Sequence, residues 1–210
     1  PGPGCARIQI EKIGICGTDL HAYHGRQPFF EYPRILGHEL GVVVTSVGPN
    51  VTNVSPGDRC AVEPYLNCGN CVACRAGKTN CCNSLQCLGV HTDGGMRESI
   101  IVPASKLHSS AKLETQQLAL VETLGIGAHA VDRAQLTQGE KVLVIGAGPI
   151  GLSVIQFATV VGAEVALLEL NPDRMAFATE QFGIKTGLSR LGTALEEIVA
   201  WTNGDLPTAV

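Results

Sequence analysis

The sequence predicts an α/β protein in which a β-rich domain precedes a truncated, doubly wound parallel sheet. Up to about residue 114 the chain has many short segments rich in valine and isoleucine, separated by turns that contain Gly and Pro. From residue 115 onwards, short apolar runs alternate with stretches of helical spacing, which is typical of strand–helix–strand units. We therefore predict two domains, residues 1–114 and 115–210.

Composition and charge exclude several classes of partner. Charged residues make up 16% of the chain, and the formal net charge is -4. Because no cluster of Lys and Arg is present to neutralise phosphates, we exclude nucleic acid as a partner. No apolar run reaches the roughly 20 residues of a membrane-spanning helix, and no secretory leader stands at the front. We expect a cytoplasmic protein without a membrane partner.

The first domain is expected to be built from short strands. Alternation of Ile and polar residues predicts a strand that runs into a turn at Cys16. Later valine- and isoleucine-rich runs end at turns such as Gly48-Pro49-Asn50. The expected strands cover residues 7–12, 40–47, 60–63 and 100–103.

A thiol, an imidazole and a carboxylate lie within one short window of this domain, at Cys16, His38 and Glu39. These are zinc ligand types, and three protein ligands with one open position suit a site that binds water or a substrate oxygen. Glu122 is a further candidate because a buried acid in an apolar helical stretch needs a partner or a metal. A partly exposed glutamate is the alternative interpretation.

Four of the nine cysteines predict a second, closed zinc site in a lobe at residues 68–82. The candidate ligands are Cys68, Cys71, Cys74 and Cys82. Cys81 could replace Cys82 on spacing alone. The odd number of cysteines and the missing secretory signal favour metal binding over disulfides.

The second domain opens with the fingerprint of a dinucleotide-binding site. The apolar run 141–145 is followed by Gly146-Ala147-Gly148-Pro149-Ile150-Gly151, a helical stretch, a second apolar strand at 165–168 and Glu169. The glycines allow a tight turn, close approach of the pyrophosphate and helix–strand packing. Pro149 suits the helix start, whose free N–H groups attract the pyrophosphate.

Glu169 favours NAD over NADP, because its carboxylate binds the ribose hydroxyls and repels a 2′-phosphate. Arg174 is a candidate cofactor contact one turn into the next helix, and a solvated charge is the alternative. Later elements are a helix to about residue 182, a strand at 185–188 and a helix at 193–201. Residues 206–210 are expected to begin a fourth strand. Since the chain starts without Met and stops there, we expect a fragment that holds only half of the nucleotide-binding domain.

These motifs resemble the zinc-dependent alcohol dehydrogenases of the medium-chain dehydrogenase/reductase superfamily, and the resemblance covers nearly the whole chain. It rests on these segments: 14–21 around Cys16, Gly37-His38-Glu39, Gly57-Asp58-Arg59, the cysteine lobe, Asp93-Gly94-Gly95 and 146–151. The resemblance implies a GroES-like catalytic domain followed by a truncated Rossmann domain, and it selects Cys82 as the fourth lobe ligand. One departure is that Gly41 stands one place before the family's usual glycine, where a local backbone change is expected.

The resemblance also implies a branch and a substrate class. Glu122 occupies the position at which sorbitol and threonine dehydrogenases carry Glu, and residues 23–30 resemble those of bacterial enzymes thought to act on sugar acids. The implied activity is hydride transfer from a secondary alcohol, a polyol or sugar acid, to NAD. Alternatives are L-threonine 3-dehydrogenase or a truncated, non-catalytic zinc-binding fragment. The full-length form is expected to be a homodimer or homotetramer.

The resemblance assigns roles within the catalytic site. It implies that Cys16 and His38 hold zinc, while Glu39 and Glu122 compete or exchange as further ligands. Thr18 and His21 would pass the substrate proton to solvent, although His21 could instead be a structural residue of the turn. The roles of His24 and His91 are open.

Overall fold

The computed structural model describes residues 1–28 and 30–210. It consists of two compact units, Pro1–Glu122 and Thr123–Val210. Phe29, in the segment that suggested sugar acids, lies outside the described residues. The predicted boundary between residues 114 and 115 stays a prediction. Within the described part of the chain, no helix combines the length and the apolar character needed to cross a membrane.

Unit 1 contains a five-stranded antiparallel sheet with the order β6-β1-β2-β3-β7, and a small hairpin of β4 and β5. The strands are β1 Cys5–Gly14, β2 Glu39–Val47, β3 Arg59–Val62, β4 Tyr65–Leu66, β5 Gln86–Cys87, β6 Ser99–Pro103 and β7 Leu107–Ser109. The four strands expected from the sequence are all present. The hairpin and β7 have no counterpart in the sequence analysis, because two- and three-residue strands leave no readable alternation.

Four helices and two 3₁₀ turns belong wholly or partly to unit 1. The helices are α1 Gly17–Tyr23, α2 Val72–Arg75, α3 Thr115–Ala119 and α4 Val121–Ala134, of which α4 continues into unit 2; the 3₁₀ turns are Thr79–Cys81 and Ala104–Lys106. A turn was expected at Cys16, and that interpretation was wrong, because Cys16 caps the helix α1. The helical stretch expected from residue 115 to 134 is interrupted at Leu120.

The core of unit 1 follows from alternation along the long strands. Ile8, Val42 and Val44 are almost completely buried, as are Ile100 and Val102. Every second residue of a strand faces the same side, so these branched side chains form one apolar layer.

Gly41 lies where α3 approaches β2. A side chain at this position would overlap the backbone oxygen of Thr115. The pairing of β1 with β2 is irregular here, since Ile10 lies opposite Val42 and Lys12 opposite Gly41, which leaves Glu11 as an extra residue. The irregularity lies where a local backbone change was expected.

Unit 2 contains a parallel sheet with the order β10-β9-β8. Its elements are β8 Lys141–Ile145, α5 Pro149–Val161, β9 Glu164–Leu168, α6 Pro172–Phe182, β10 Thr186–Leu188 and α7 Leu191–Trp201. Each was expected within a few residues. Beyond α7, Ala209 makes a single parallel bridge to Val142, on the side of β8 opposite β9, within the segment where a fourth strand was expected to begin.

Helices cover both faces of this sheet. Val142, Val144 and Leu167 pack on one face with Ile155 of α5 and Ala178 of α6. The alternate strand residues pack on the other face with Ala194 and Ile198 of α7; they are Leu143, Ala166, Leu168 and Leu188. Burial on both faces explains why the strands of this unit are continuously apolar.

Candidate metal centres and nucleotide-binding turn

The first candidate metal centre is organised by Asp19, a buried residue of α1. One carboxylate oxygen accepts a hydrogen bond from the backbone N–H of Cys16 at 3.0 Å, and the other accepts from Gly37 at 3.3 Å. Asp19 therefore fixes the start of α1 and joins it to the segment that carries His38 and Glu39. Residues far apart in sequence are brought together by one carboxylate.

Cys16, His38 and Glu39 form a cluster whose candidate ligand atoms all lie within 4.8 Å of one another. His38 and Glu39 are buried, and Cys16 is partly buried. The Glu39 carboxylate packs against Gly14, where a Cβ would overlap Oε2. Sulfur, imidazole nitrogen and carboxylate oxygen at this separation fit a zinc ion, and three protein donors leave one coordination position free.

The electrostatics of this cluster favour a thiolate. A hydrogen bond with His38 lowers the pKa of Cys16 against the opposing effect of burial, and hydrogen bonds from Thr18 lower it further. Burial works to lower the pKa of His38, but Cys16 and the Asp19 carboxylate raise it overall. Asp19 Oδ1 lies 3.8 Å from His38 Nδ1, a buried nitrogen without a hydrogen-bond partner among the described residues.

Glu122 lies beside the cluster but is not one of its three members. Its carboxylate interacts electrostatically with His38 and Glu39. Burial raises the pKa of Glu122, whereas a hydrogen bond from Tyr65 opposes the rise. The Tyr65 hydroxyl donates to Glu122 Oε1 at 2.8 Å. The partner that a half-buried acid requires is thus a tyrosine.

Thr18 and His21 lie three residues apart on α1, so they face the same side of the helix. Thr18 is half-buried and hydrogen-bonds to Cys16, whereas His21 is exposed. The pair therefore leads from the cluster towards solvent. His24 is exposed in the turn after α1, and His91 Nδ1 accepts a hydrogen bond from the Cys87 backbone at 3.0 Å.

The second candidate centre is a four-sulfur cluster made by Cys68, Cys71, Cys74 and Cys82, whose sulfurs lie within 4.8 Å of one another. Cys82, and not Cys81, is the fourth member. Cys68 Sγ and Cys74 Sγ are 4.0 Å apart. Four sulfurs around one zinc at about 2.3 Å would lie about 3.8 Å from each other, so the cluster fits a closed tetrahedral site.

Backbone N–H groups stabilise negative charge in this lobe. The backbone N–H groups of Cys74 and Asn83 hold the pKa of Cys71 at about 6, well below its ordinary value. Cys82 Sγ accepts hydrogen bonds from the backbone of Cys68 at 3.3 Å and Ser84 at 3.4 Å. Thiolates are the form in which cysteine binds a metal, so the backbone favours the binding state.

The glycine turn between β8 and α5 has the geometry of an anion-binding loop. Gly146 has a φ of 95°, which only glycine adopts easily, and a Cβ at Gly151 would overlap the Gly146 carbonyl oxygen. Gly148 caps α5, Pro149 is its first residue, and the space where a Gly148 side chain would point is open. Ile150 follows in the first turn and is exposed.

Glu169 closes this turn from the end of β9. Its Oε2 accepts a hydrogen bond from Ala147 at 2.7 Å, and its Oε1 accepts from Asn171 at 2.7 Å. These backbone bonds lower the pKa of Glu169, and Arg174 contributes a smaller electrostatic effect. Arg174 itself is exposed. The glycine turn and the acid, 22 residues apart, form one contiguous site within unit 2.

Family models match both parts of the chain. The model described as "alcohol dehydrogenase GroES-like domain" matches residues 2–112. The chain belongs to the zinc-type alcohol dehydrogenases of the medium-chain dehydrogenase/reductase superfamily. A second model, "alanine dehydrogenase/PNT, C-terminal domain", matches residues 117–202. The predicted family, and the GroES-like domain followed by a Rossmann-like portion, are confirmed.

Relatives within this family include sugar-acid and amino-acid dehydrogenases. L-galactonate-5-dehydrogenase of Escherichia coli K12 is 45% identical over 174 residues, covering 83% of this chain and 51% of the relative. L-threonine 3-dehydrogenase of Pyrococcus horikoshii OT-3 is 38% identical over 167 residues, covering 78% of this chain and 48% of the relative. The chain thus spans about half the length of the curated relatives it matches.

Solved structures of family members superpose closely. A structure described as a short chain alcohol dehydrogenase from Escherichia coli CFT073, complexed with NADH, gives a TM-score of 0.89 at 36% identity and covers 99% of this chain and 61% of its own. A structure of a zinc-binding dehydrogenase from Sinorhizobium meliloti 1021, bound to NADP, gives a TM-score of 0.86 at 34% identity. The match covers 94% of this chain and 58% of that protein's chain.

Asp19 and Tyr65 take part in the candidate metal centre, and neither was predicted from the sequence. Asp19 stands three residues after Cys16, at the spacing at which a side chain can reach back to the start of a helix, and that signal was readable. Tyr65 is 57 residues from Glu122, and no local sequence pattern predicts their contact.

Proposed function

We propose that the protein is a zinc-dependent oxidoreductase that transfers hydride from a secondary alcohol of a polyol or sugar acid to NAD. The observation that carries the proposal is the cluster of Cys16, His38 and Glu39, which offers zinc three protein donors. A four-sulfur cluster in the same unit supports the presence of a separate structural zinc. Because the chain spans about half of its relatives, the proposal concerns the whole protein that carries it.

Zinc bound at the first cluster would supply Lewis-acid polarisation and lower the pKa of the substrate hydroxyl by several units. Cys16, His38 and Glu39 would hold it, with Glu122 as the exchanging carboxylate. Asp19 faces His38 Nδ1 and would keep the other ring nitrogen directed at the metal. Cys68, Cys71, Cys74 and Cys82 would hold the structural ion.

Thr18 and His21 would carry the proton released from the substrate hydroxyl. The Thr18 hydroxyl is adjacent to the thiol of Cys16, and a hydroxyl can accept one proton while donating another. His21 lies on the same side of α1 and is exposed, so its imidazole would pass the proton to solvent.

Unit 2 would bind the nucleotide. The turn of Gly146, Gly148, Pro149, Ile150 and Gly151 presents backbone N–H groups at the start of α5 for the pyrophosphate. Glu169 would accept hydrogen bonds from the adenosine ribose hydroxyls and repel a 2′-phosphate, so we propose NAD as the cofactor. The exposed Arg174 would stand near this end of the cofactor. Structures of relatives contain NADH in one case and NADP in another, which makes Glu169 the residue to test.

Sugar acids and polyols are the proposed substrate class because the sugar-acid relative has the higher identity, 45% against 38% for the threonine dehydrogenase. L-Threonine remains the second candidate on the strength of that relative and of Glu122.

We also propose a homodimer or homotetramer in the cytoplasm. All nine cysteines lie outside disulfides, which is consistent with a reducing compartment.

The proposal is tested by metal analysis and a substrate screen on the purified protein. We expect two zinc ions per chain and NAD reduction with L-galactonate or a polyol, in preference to L-threonine and simple alcohols. A Glu169→Ala variant should accept NADP more readily, while an exposed control, Glu164→Ala, should not. Zinc binding without NAD reduction on any of these alcohols would instead support the non-catalytic alternative.

A further inference from the structure

The hydrogen bond between Tyr65 and Glu122 joins two parts of unit 1 that are distant in sequence. Tyr65 lies on β4, where it is paired with Cys87 of β5, and Glu122 lies in the first turn of α4. The hydroxyl-to-carboxylate distance is 2.8 Å, and both residues are half-buried. Because the hairpin anchors the backbone of Tyr65, its hydroxyl is a fixed donor rather than a mobile surface group.

The two candidate carboxylate ligands, Glu39 and Glu122, differ in their position relative to the donor cluster. Glu39 lies with Cys16 and His38 inside a cluster whose ligand atoms are within 4.8 Å of one another. Glu122 is close enough to interact electrostatically with His38 and Glu39, yet it is not a member of that cluster. The carboxylate outside the cluster is the one that Tyr65 holds.

We propose that Tyr65 is a positioning residue of the metal centre, whose hydroxyl holds the Glu122 carboxylate outside the donor cluster and leaves Glu39 as the carboxylate ligand. The proposal rests on the metal centre of the proposed function and deepens it, since it states which carboxylate binds first and what restrains the other.

The physical reason is competition for one carboxylate. A half-buried carboxylate needs a hydrogen-bond donor or a cation, and here a neutral hydroxyl supplies the donor. Two carboxylates repel each other next to one ion. Metal binding by Glu122 is therefore less favourable while Glu39 is already bound. Without the hydroxyl, Glu122 loses its partner and a bound cation becomes the favourable alternative.

Tyr65→Phe tests the proposal because it removes one oxygen atom and keeps the aromatic ring. We expect zinc bound at the cluster of Cys16, His38 and Glu39 to pass to a chromogenic chelator roughly tenfold more slowly in this variant than in the parent protein. The reason is that loss of the hydrogen bond to a charged group frees Glu122 to bind the metal. Tyr23→Phe, at a tyrosine that is 82% exposed, is the matched control and should leave the rate unchanged. Unchanged or faster zinc release from Tyr65→Phe would overturn the proposal.

A double-mutant cycle separates positioning from a general structural effect. In a Glu122→Gln background the further change Tyr65→Phe should leave zinc release unaltered, because the carboxylate on which the hydroxyl acts is gone. If Tyr65→Phe slows release equally in both backgrounds, Tyr65 acts on something other than Glu122 and the proposal is wrong.

Cobalt substitution gives a readout that does not depend on the tyrosine variant. With Co²⁺ at this centre, Glu122→Gln should leave the visible absorption bands in place, whereas Glu39→Gln should shift them. Bands that move in Glu122→Gln would show Glu122 to be a ligand already and would overturn the proposal. The proposed function survives that outcome if the parent protein holds two zinc ions per chain. A lower zinc content would overturn both.

Discussion

At the scale of single residues, the candidate metal centre depends on a glycine that leaves space for a ligand as well as on the ligands themselves. Gly14 ends β1, and the Glu39 carboxylate occupies the space that a Cβ at Gly14 would fill. Asp19 then draws the backbone of Cys16 and Gly37 together. The donors are thus held by contacts that can each be removed by one substitution.

Gly14→Ala should weaken zinc binding at the first cluster. The new methyl group would push the Glu39 carboxylate away from Cys16 and His38, and we expect roughly tenfold weaker binding, the lower end of the loss seen when a ligand's support is removed. Isothermal titration of zinc into the metal-free protein measures the effect. Gly17→Ala is the matched control, since a Cβ at Gly17 meets no atom within 4 Å. Equal affinities in the two variants would contradict the role given to Gly14.

At the scale of elements, the cysteine lobe and the glycine turn are both stabilised by backbone N–H groups that donate hydrogen bonds to negatively charged side chains. In the lobe the N–H groups of Cys74 and Asn83 favour the Cys71 thiolate. In unit 2 the N–H groups of Ala147 and Asn171 meet the Glu169 carboxylate. Short elements that bury little apolar surface are ordered here by polar contacts.

Cys82→Ser should release one zinc ion and loosen the lobe. The lobe has little apolar core of its own, so its order depends on the metal. Metal analysis should show one zinc ion fewer per chain, and limited proteolysis should cut within residues 68–82. Cys81→Ser changes the neighbouring exposed thiol, which lies outside the cluster, and should leave metal content and proteolysis unchanged. The reverse pattern would make Cys81 the ligand.

The Glu169 contact should make the glycine turn sensitive to acid. Backbone hydrogen bonds lower the pKa of Glu169 in the folded protein, so its stabilising effect is present above the ordinary glutamate pKa and is lost as the pH falls through the lowered value. Glu169→Ala should therefore reduce the hydrogen-exchange protection of the Ala147 amide roughly tenfold at pH 7, with the difference shrinking in acid. Glu164→Ala, at the exposed first residue of β9, is the control. A difference that grows in acid would contradict this account.

At the scale of the whole chain, sequence reasoning worked where a signal is local. The parallel strands of unit 2 are continuous apolar runs, and the glycine turn follows one of them directly, so both were predicted. α1 was missed because its seven residues show no apolar periodicity. The spacing of Cys16 and Asp19 was the local signal that could have revealed its start. The contact of Tyr65 with Glu122 was missed because the fold, and no local pattern, brings the two together.

The central claim is that Cys16, His38 and Glu39 bind a zinc ion separate from that of the lobe. Zinc analysis of the purified protein and of Cys16→Ser tests it most directly. We predict two zinc ions per chain in the parent protein and one in the variant, with the lobe's ion retained. Two zinc ions in Cys16→Ser would contradict the claim.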